Sequence, residues 1–245
     1  MNNQTVAFVT GASRGIGIAI STELVAKGYF VIGVCRDASK TVAKEWEEKI
    51  NDRGALYELD ISDHVKVDTF FKDVMSSYAT PYVLVNNAGT TDDAFFHKMT
   101  SEQWSNVIGV NLLSIFYITQ PIYKDMIKQK KGRIVNISSV NGQKGQAGQV
   151  NYCVSKAGIV GFSKALALEG ARSNVTVNTV SPGYIDTRMT SVIGAEIKES
   201  IRQEIPQKRF GKPSEIAKAV SYLISEEAEY VTGQNICVNG GLYMS

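Results

Sequence analysis

Residues that mark several common classes of protein are scarce in this chain. Its 245 residues include three cysteines, two histidines and five prolines. The histidines (His64, His97) and cysteines (Cys35, Cys153, Cys237) are dispersed, and none forms a CxxC or HxxxH pair. We therefore expect no metal site, no disulfide framework and no catalytic triad.

A strong excess of one charge and a long apolar run are also missing. The chain has 26 Lys and Arg against 24 Asp and Glu, so its formal net charge is +2. This balance does not favour nucleic acid or a membrane surface as a partner. The first apolar run stops at Gly11, too early for a signal sequence or a membrane span. Dispersed thiols and no targeting segment predict a cytoplasmic protein.

Short β-branched runs alternate with longer amphipathic stretches along the whole chain. This alternation favours an α/β fold, a doubly wound parallel sheet of about seven strands with helices on both faces. No repeat or linker interrupts it, so one domain over residues 1–245 is predicted. The predicted strands are Val6–Thr10, Phe30–Cys35, Ala55–Leu59, Tyr82–Asn86, Gly132–Ser138, Val175–Val180 and Asn235–Val238. Helices are predicted to begin near Gly15, Ser39, Ser62, Thr100, Asn151 and Pro213.

Two of the predicted helices, within residues 112–126 and 151–168, carry more apolar side chains than one sheet face requires. A helix that is apolar on most sides is buried on most sides. We expect these helices, around Phe116 and Phe162, to form a subunit interface. The alternative is a deep monomer core beneath the segment Tyr184–Arg209, which we expect to be irregular.

The first predicted strand runs into a glycine-rich turn, TGASRGIG, and then a helix. Glycines at such a turn let the backbone approach a pyrophosphate at the positive end of the helix. The spacing is GxxxGxG rather than GxGxxG, and glycine-rich turns also serve packing alone. We expect a dinucleotide here, with contacts from Gly11, Ser13, Arg14, Gly15, Ile16 and Gly17.

The end of the second strand carries information on the type of dinucleotide. An acidic residue there would bind the free ribose hydroxyls of NAD, but the position holds Cys35, followed by Arg36. Arg36 and Arg14 together are suited to a 2′-phosphate, which predicts NADPH. The alternatives are a solvated Arg36 or an Arg36 that pairs with Asp37.

Polar residues also follow the third and fourth predicted strands, at the edge where open α/β sheets bind ligands. Asp60 is suited to accept from the adenine amino group, while Ile61 covers the ring. The sequence NNAG follows, and we expect Asn87, Ala88 and Gly89 to hold this loop against the nucleotide.

The last set of candidates is Ser139, Tyr152 and Lys156. Ser139 follows the fifth predicted strand, and Tyr152 and Lys156 are four residues apart on one helix face. A lysine in an apolar helix costs desolvation unless its charge is used. A hydroxyl, a phenol and an ammonium are therefore expected to meet.

TGASRGIG, NNAG, Asn111, Ser139, YxxxK and Pro182-Gly183 resemble the short-chain dehydrogenase/reductase family, in order and spacing, over essentially the whole chain. The resemblance implies a single Rossmann-type domain, a nicotinamide cofactor and a homotetramer. It further implies a catalytic tetrad of Asn111, Ser139, Tyr152 and Lys156. Further cofactor contacts are expected from Tyr152, Lys156, Pro182, Gly183 and Ile185.

Within the family, the segments Ser139–Gln146 and Thr176–Tyr184 and the C-terminal NGGLYM look most like acetoacetyl-CoA reductases of polyhydroxyalkanoate synthesis. The 3-oxoacyl-ACP reductases are close behind. One departure is Ala147, where the CoA reductases usually have an aromatic residue. The implied reaction is NADPH-dependent reduction of acetoacetyl-CoA to (R)-3-hydroxybutanoyl-CoA. The alternatives are an acyl-carrier-protein substrate and a non-catalytic dinucleotide-binding sensor.

In the expected mechanism, Tyr152 donates a proton to the developing alkoxide and Ser139 hydrogen-bonds the carbonyl oxygen. An ammonium about 5 Å from the phenol would stabilise the phenolate by roughly 3 kcal/mol, so Lys156 is expected to lower the pKa of Tyr152 by about two units. The resemblance gives Asn111 the role of holding a water that reconnects Lys156 to solvent.

Substrate contacts are expected from loops at the same edge of the sheet. The candidates for thioester binding, besides Ser139 and Tyr152, are Asp93, Gln146, Gln149 and Tyr184. Basic residues suited to CoA phosphates or an acidic carrier protein are Lys128, Lys130, Lys131, Arg133, Lys144 and Arg172. A solvated helix end is the alternative interpretation of this charge.

Overall fold

The computed structural model describes residues 5–244, apart from the side chain of Lys40. Seven parallel strands form one sheet in the order β3-β2-β1-β4-β5-β6-β7. The strands are β1 (Val6–Thr10), β2 (Phe30–Cys35), β3 (Gly54–Glu58), β4 (Val83–Asn86), β5 (Gly132–Ile137), β6 (Val175–Pro182) and β7 (Asn235–Val238). The predicted single-domain, doubly wound α/β fold is confirmed. Its strand order reverses between β1 and β4, where such sheets bind ligands.

Helices connect the strands. They are α1 (Gly15–Ala26), α2 (Lys40–Ile50), α3 (His64–Asp73), α4 (Ser101–Ile108), α5 (Ser114–Gln129), α6 (Asn141–Lys144), α7 (Val150–Gly170), α8 (Arg188–Ser191), α9 (Ala195–Glu204) and α10 (Pro213–Leu223). A π-helical turn, Gly109–Leu113, joins α4 to α5. Of the helices within residues 5–244, none has the length and apolarity needed to cross a membrane.

The prediction that Tyr184–Arg209 is irregular was wrong, because α8 and α9 lie within it. Neither helix buries a residue in the described part of the chain. In α9, the Glu199 carboxylate accepts from both Arg202 and Gln203. Local pairs of this kind stabilise a surface helix.

The core consists of two apolar layers, one on each face of the sheet. Ala7 and Val9 of β1 pack into one layer with α1 and α10, while Val6 and Phe8 pack into the other with α3 and α5. Successive side chains of a strand point to opposite faces. The apolar runs without alternation therefore reflect strands covered on both sides.

Helices α5 and α7 keep apolar side chains on the surface of the single protomer. Phe116 is 51% exposed, and Val154 and Leu168 are exposed as well, whereas Phe162 is half-buried. The segment Tyr184–Arg209 leaves these side chains uncovered. The alternative of a deep monomer core over these faces is therefore wrong.

Candidate active site

The loop after β4 is hydrogen-bonded to the glycine turn. Asn87 Nδ2 donates to the carbonyl oxygens of Thr10 (2.9 Å) and Gly11 (3.1 Å). Thr10 Oγ1 accepts from the backbone N–H groups of Asn87 and Ala88, each at 3.0 Å. A Cβ on Gly17 would lie 1.9 Å from the Gly11 carbonyl oxygen. The turn therefore requires glycine at position 17. The Thr10 hydroxyl also fixes the turn to the loop after β4, a role that the sequence motifs did not predict.

The start of α1 suits a pyrophosphate. Gly11 and Gly15 have φ of +63° and +55°, a region that favours glycine. Arg14 is an extended N-cap residue, and among the described residues no side chain caps the first turn. The first N–H groups of the helix therefore stay available, and anions are stabilised at this positive end. This backbone and its glycines would hold the pyrophosphate of a dinucleotide.

The end of β2 separates a buried thiol from an exposed guanidinium. Cys35 is buried, its Sγ donates to the Asp37 carbonyl oxygen at 3.1 Å, and burial raises its pKa. The Asp37 carboxylate accepts instead from the backbone N–H of Ser39, at 2.9 Å. In the part of the chain that the structure describes, no ion pair joins Arg36 to Asp37. Arg36 thus remains exposed beside the predicted 2′ position.

Asp60 and Ile61 follow β3 as expected, and Ile61 is buried. The Ser62 hydroxyl donates to Asp60 Oδ1 at 2.6 Å, which is the main reason that the pKa of Asp60 lies below its usual value. The positive charge of Arg36 lowers the same pKa further. The residue predicted to bind the adenine, Asp60, therefore lies within the electrostatic range of Arg36, the residue predicted to bind the 2′-phosphate.

Ser139, Tyr152 and Lys156 meet where β5 faces α7. Ser139 and Lys156 are buried, and Tyr152 lies near enough to Ser139 for the serine to lower its pKa. Lys156 Nζ lies 5.7 Å from the centre of the Tyr152 ring and donates to the Ile137 carbonyl oxygen at 2.9 Å. The structure brings the three predicted side chains together.

Burial dominates the titration of this group. It raises the pKa of Tyr152 to about 12, although the neighbouring Ser139 offsets part of the rise. Burial also lowers the pKa of Lys156 to about 8. The expectation that Lys156 lowers the pKa of the phenol was wrong, because desolvation penalises both charged forms. Tyr152 is therefore a neutral acid that retains its proton at neutral pH.

Asn111 is fully buried in the π-helical turn. Its Nδ2 donates to the Thr90 carbonyl oxygen (3.0 Å) and to Ser155 Oγ (3.1 Å). Its Oδ1 accepts from the Thr90 N–H at 2.8 Å. A Cβ on Gly89 would meet Lys156 Nζ at 3.3 Å and Asn111 Oδ1 at 3.4 Å. Asn111 thus lies near Lys156, and Ser155 and Thr90 are contacts that the motifs did not reveal.

Two of the predicted substrate residues, Asp93 and Gln149, are hydrogen-bonded to each other. Asp93 Oδ2 accepts from Gln149 Nε2 at 2.7 Å, and Gln149 Oε1 accepts from Asn141 Nδ2 at 2.9 Å. Tyr184 packs against Phe210, with ring centres 5.7 Å apart and ring planes tilted by 32°. The Asp93 charge contributes to the raised pKa values of both Tyr152 and Tyr184, after their burial. Asp93 therefore lies close enough to both tyrosines to act on their pKa values, and Gln149 is hydrogen-bonded to it.

The remaining predicted residues lie at the same edge. Gln146 accepts from Lys144 at 3.2 Å, and the Pro182 carbonyl oxygen accepts from the Val140 N–H at 2.9 Å. Gly183 packs so closely on Asn239 that a Cβ would lie 2.8 Å from its Cα. Ile185 is buried and forms a parallel bridge with Gly211.

Comparison with known proteins shows the family to which the chain belongs. A family model described as enoyl-(acyl carrier protein) reductase matches residues 11–243. The chain is 49% identical to an acetoacetyl-CoA reductase of Acinetobacter sp., with all of both chains covered. It is 42% identical to the 3-oxoacyl-[acyl-carrier-protein] reductase FabG of Haemophilus influenzae and to an acetoacetyl-CoA reductase of Allochromatium vinosum, each with 98% of both chains covered.

The chain belongs to the short-chain dehydrogenase/reductase family. Members of this family use a nicotinamide dinucleotide, and the glycine turn and the start of α1 supply the backbone that such a cofactor needs. The predicted oxidoreductase class is thus confirmed.

The basic cluster of this reductase is smaller than the sequence predicted and lies elsewhere. Arg133 is only 3% exposed, because its guanidinium packs over the Tyr82 ring and donates to backbone carbonyls. Lys130 and Lys131 precede β5, whereas Ser139 follows it. A strand of six residues spans roughly 20 Å. Lys144 is therefore the member of the cluster beside the catalytic groups, and the others lie at the opposite, amino-terminal end of the parallel strands.

Proposed function

We propose that this chain reduces 3-oxoacyl thioesters with NADPH, and that acetoacetyl-CoA is its preferred substrate, giving (R)-3-hydroxybutanoyl-CoA. The observation that carries the proposal is the neutral phenol of Tyr152, with Ser139 near enough to lower its pKa and Lys156 Nζ 5.7 Å from the centre of its ring. The identity of 49% with an acetoacetyl-CoA reductase over the full length supports the substrate class. The catalytic domain corresponds to residues 1–245.

Each member of the tetrad has a defined task in the proposed reaction. A nicotinamide dinucleotide held by the glycine turn would supply the hydride that the carbonyl carbon needs. Ser139 donates a hydrogen bond to the carbonyl oxygen as negative charge develops there. Tyr152 gives that oxygen its proton. Lys156, which lies 5.7 Å from the centre of the Tyr152 ring, would contact the cofactor, and Asn111, through its bonds to Thr90 and Ser155, holds the adjacent loop beside Lys156.

The preference for NADPH rests on the charge at the end of β2. Arg36 and Arg14 are exposed there, and Asp37 is engaged by the backbone of Ser39. Two guanidinium groups would hold a 2′-phosphate by charge-assisted hydrogen bonds. The buried, neutral Cys35 offers no carboxylate for the ribose hydroxyls of NADH.

The test is a comparison of kcat/KM for acetoacetyl-CoA and acetoacetyl-ACP, each with NADPH and with NADH. The expected order is NADPH over NADH and CoA over ACP. A better rate with acetoacetyl-ACP would favour the alternative of a 3-oxoacyl-ACP reductase of fatty-acid elongation; the name of the Haemophilus relative contains the same acyl-carrier-protein substrate. Binding of NADPH without turnover of either thioester would leave the non-catalytic sensor.

The same assay at low and moderate salt tests the basic cluster. A protein carrier spreads its contacts over several lysines, so its kcat/KM falls more steeply with salt than that of CoA. The double variant Lys130→Glu, Lys131→Glu is expected to change the rate with acetoacetyl-CoA less than twofold, because both lysines precede β5. A preference for acetoacetyl-ACP that disappears in this variant would overturn the assignment.

The assembly we propose is a homotetramer formed through the exposed apolar faces of α5 and α7, around Phe116 and Val154. Burial of such faces is favourable by about 25 cal/mol per Å². Light scattering at micromolar concentration should give a tetrameric mass, and a monomeric mass would refute the assembly. We also propose a cytoplasmic location, which is consistent with the free thiols of Cys35, Cys153 and Cys237.

A further inference from the structure

Asn151 precedes the proposed proton donor and is completely buried. Its Oδ1 accepts from the backbone N–H of Tyr152 at 2.8 Å. Its Nδ2 donates to two carbonyl oxygens outside the helix, those of Asp92 (3.0 Å) and Gln103 (3.2 Å). The first N–H groups of a helix have no partner within it, so this side chain satisfies one of them. One amide therefore joins the first turn of α7 to two other segments.

Both of those segments are fixed in turn. Gln103 Nε2 donates to Asp92 Oδ1 at 2.7 Å, and Gln103 Oε1 accepts from the Thr100 N–H at 3.0 Å in the capping box of α4. The backbone N–H of Ala94 donates to the Gly148 carbonyl oxygen at 2.9 Å. The loop after β4, the start of α4 and the start of α7 thus form one hydrogen-bonded unit, and Asn151 lies at its buried centre.

We propose that Asn151 is a positioning residue for proton transfer. It sets the place of the Tyr152 phenol relative to Ser139 by locking the first turn of α7 onto the loop that carries Asp93. The inference rests on the proposed role of Tyr152 as proton donor. Because a misplacement of about 1 Å can cost on the order of 10²-fold in rate, three hydrogen bonds at this point have kinetic consequences.

The chain offers a matched control for this amide. Asn178 of β6 is also completely buried. Its Nδ2 donates to the Val231 carbonyl oxygen at 2.7 Å, and its Oδ1 accepts from the Gln234 N–H at 3.0 Å. It links backbone to backbone as Asn151 does, but its partners lie in the segment before β7. Substitution there should lower stability without changing proton transfer.

The first measurement compares Asn151→Ala with Asn178→Ala. Both are expected to unfold at lower temperature than wild type. Per folded site, counted by NADPH titration, kcat should fall at least tenfold in Asn151→Ala and less than twofold in Asn178→Ala, with the Kd for NADPH within about threefold in both. Equal kcat values for the two variants would overturn the proposal and leave Asn151 a structural residue.

The second measurement uses Asn151→Asp, which keeps the acceptor for the Tyr152 N–H. Its other oxygen would face the carbonyl oxygens of Asp92 and Gln103, so the carboxylate is disfavoured and its pKa is raised. When protonated, it again donates a hydrogen bond to one carbonyl. The ratio of its kcat to that of wild type should therefore rise at least fivefold between pH 8 and pH 5.5.

The other titratable groups of the neighbourhood are Asp92, Asp93, Tyr152, Cys153 and Lys156. All five are present in both proteins, so taking the ratio to wild type cancels their own titration to first order. A ratio that stays flat with pH in Asn151→Asp would contradict the positioning role.

A double variant separates failure of this inference from failure of the proposed function. If Asn151 acts through the phenol, Asn151→Ala should change the residual rate of Tyr152→Phe less than twofold. A further tenfold loss in that background would show that Asn151 acts by another route. Full activity of Tyr152→Phe alone would instead refute the proposed proton donor, whatever Asn151 does.

Discussion

The two ends of the proposed active site are built in different ways. The glycine turn after β1 offers backbone N–H groups and excludes side chains, since a Cβ on Gly17 would lie 1.9 Å from the Gly11 carbonyl oxygen. The tetrad consists of side chains, and Asn111 and Lys156 are buried and held by hydrogen bonds. The glycine turn functions because its glycines carry no side chains, whereas the tetrad functions because its side chains are held in defined positions.

This difference predicts which substitutions each end tolerates. In the turn, any added side chain is harmful, whatever its chemistry. In the tetrad, a change of one atom removes a chemical step and leaves the packing intact. Affinity for the cofactor and the rate of proton transfer should therefore respond to separate sets of residues.

The largest expected effect is that of Tyr152→Phe. Loss of the phenolic oxygen removes the proton donor, so kcat should fall by roughly 10³-fold or more. The Kd for NADPH should stay within about threefold, as fluorescence titration would measure. Activity within tenfold of wild type would contradict the assignment of the acid.

Gly17→Ala tests the other end. Its Cβ cannot be accommodated unless the turn moves, because its nearest contact is backbone. We expect NADPH affinity to fall by about 10²-fold, with a lower Tm, as titration and thermal unfolding would show. The control is Gly194→Ala, at the N-cap of α9 with φ of −58°, where within the described structure an added Cβ meets no heavy atom within 4 Å. Equal NADPH affinities in Gly17→Ala and Gly194→Ala would contradict the prediction that a side chain at position 17 distorts the turn.

The third effect concerns the choice of cofactor at the edge of the turn. Cys35→Asp places a carboxylate beside the predicted 2′-phosphate and beside the hydroxyls of NADH. The ratio of kcat/KM for NADPH to that for NADH should fall by roughly tenfold to a hundredfold. Cys35→Asn, with the same shape and no charge, should shift it much less. A wild-type enzyme that already prefers NADH would refute the reading of this turn.

The sequence predicted most of the fold because the central strands are buried on both faces. The bounds of β1, β2 and β7 were correct, whereas β6 runs two residues further, to Pro182, since its end pairs with Val238 of the edge strand. The π-helical turn around Asn111 was missed. A local shift in helical hydrogen bonding leaves no periodic signal, and only the resemblance pointed to this residue.

The site was predictable as a set of residues but not as an electrostatic environment. Tyr152 and Lys156 are four residues apart, so a pair-distance argument expected the ammonium to acidify the phenol. That argument treats both groups as solvated. In the fold, Lys156 Nζ lies against the Ile137 carbonyl oxygen and desolvation governs both pKa values. This burial arises because β5 and α6 pack against Lys156. No single sequence motif reveals that packing.

The smallest expected effect follows from that burial. The pKa of Lys156 is about 8 in the fold against 10.5 ordinarily, so keeping it charged costs about 3 kcal/mol of stability at neutral pH. This cost is fully present below pH 8, where both folded and unfolded states are protonated. It disappears as the pH rises toward 10.5, because the unfolded chain then binds more protons than the folded one.

Lys156→Met removes this titration. The free energy of unfolding of the variant minus that of wild type should therefore decrease by about 2 kcal/mol between pH 7 and pH 10, as urea denaturation would measure. The raised pKa of Tyr152 acts mainly above pH 10, so the window avoids it. Lys164→Met, on the exposed side of the same helix, is the control and should give a constant difference. If the Lys156→Met difference is also constant with pH, the lysine carries no burial cost. Burying the charge of the tetrad would then cost no more free energy of folding than building the glycine turn, whose anion-binding groups are uncharged backbone N–H groups.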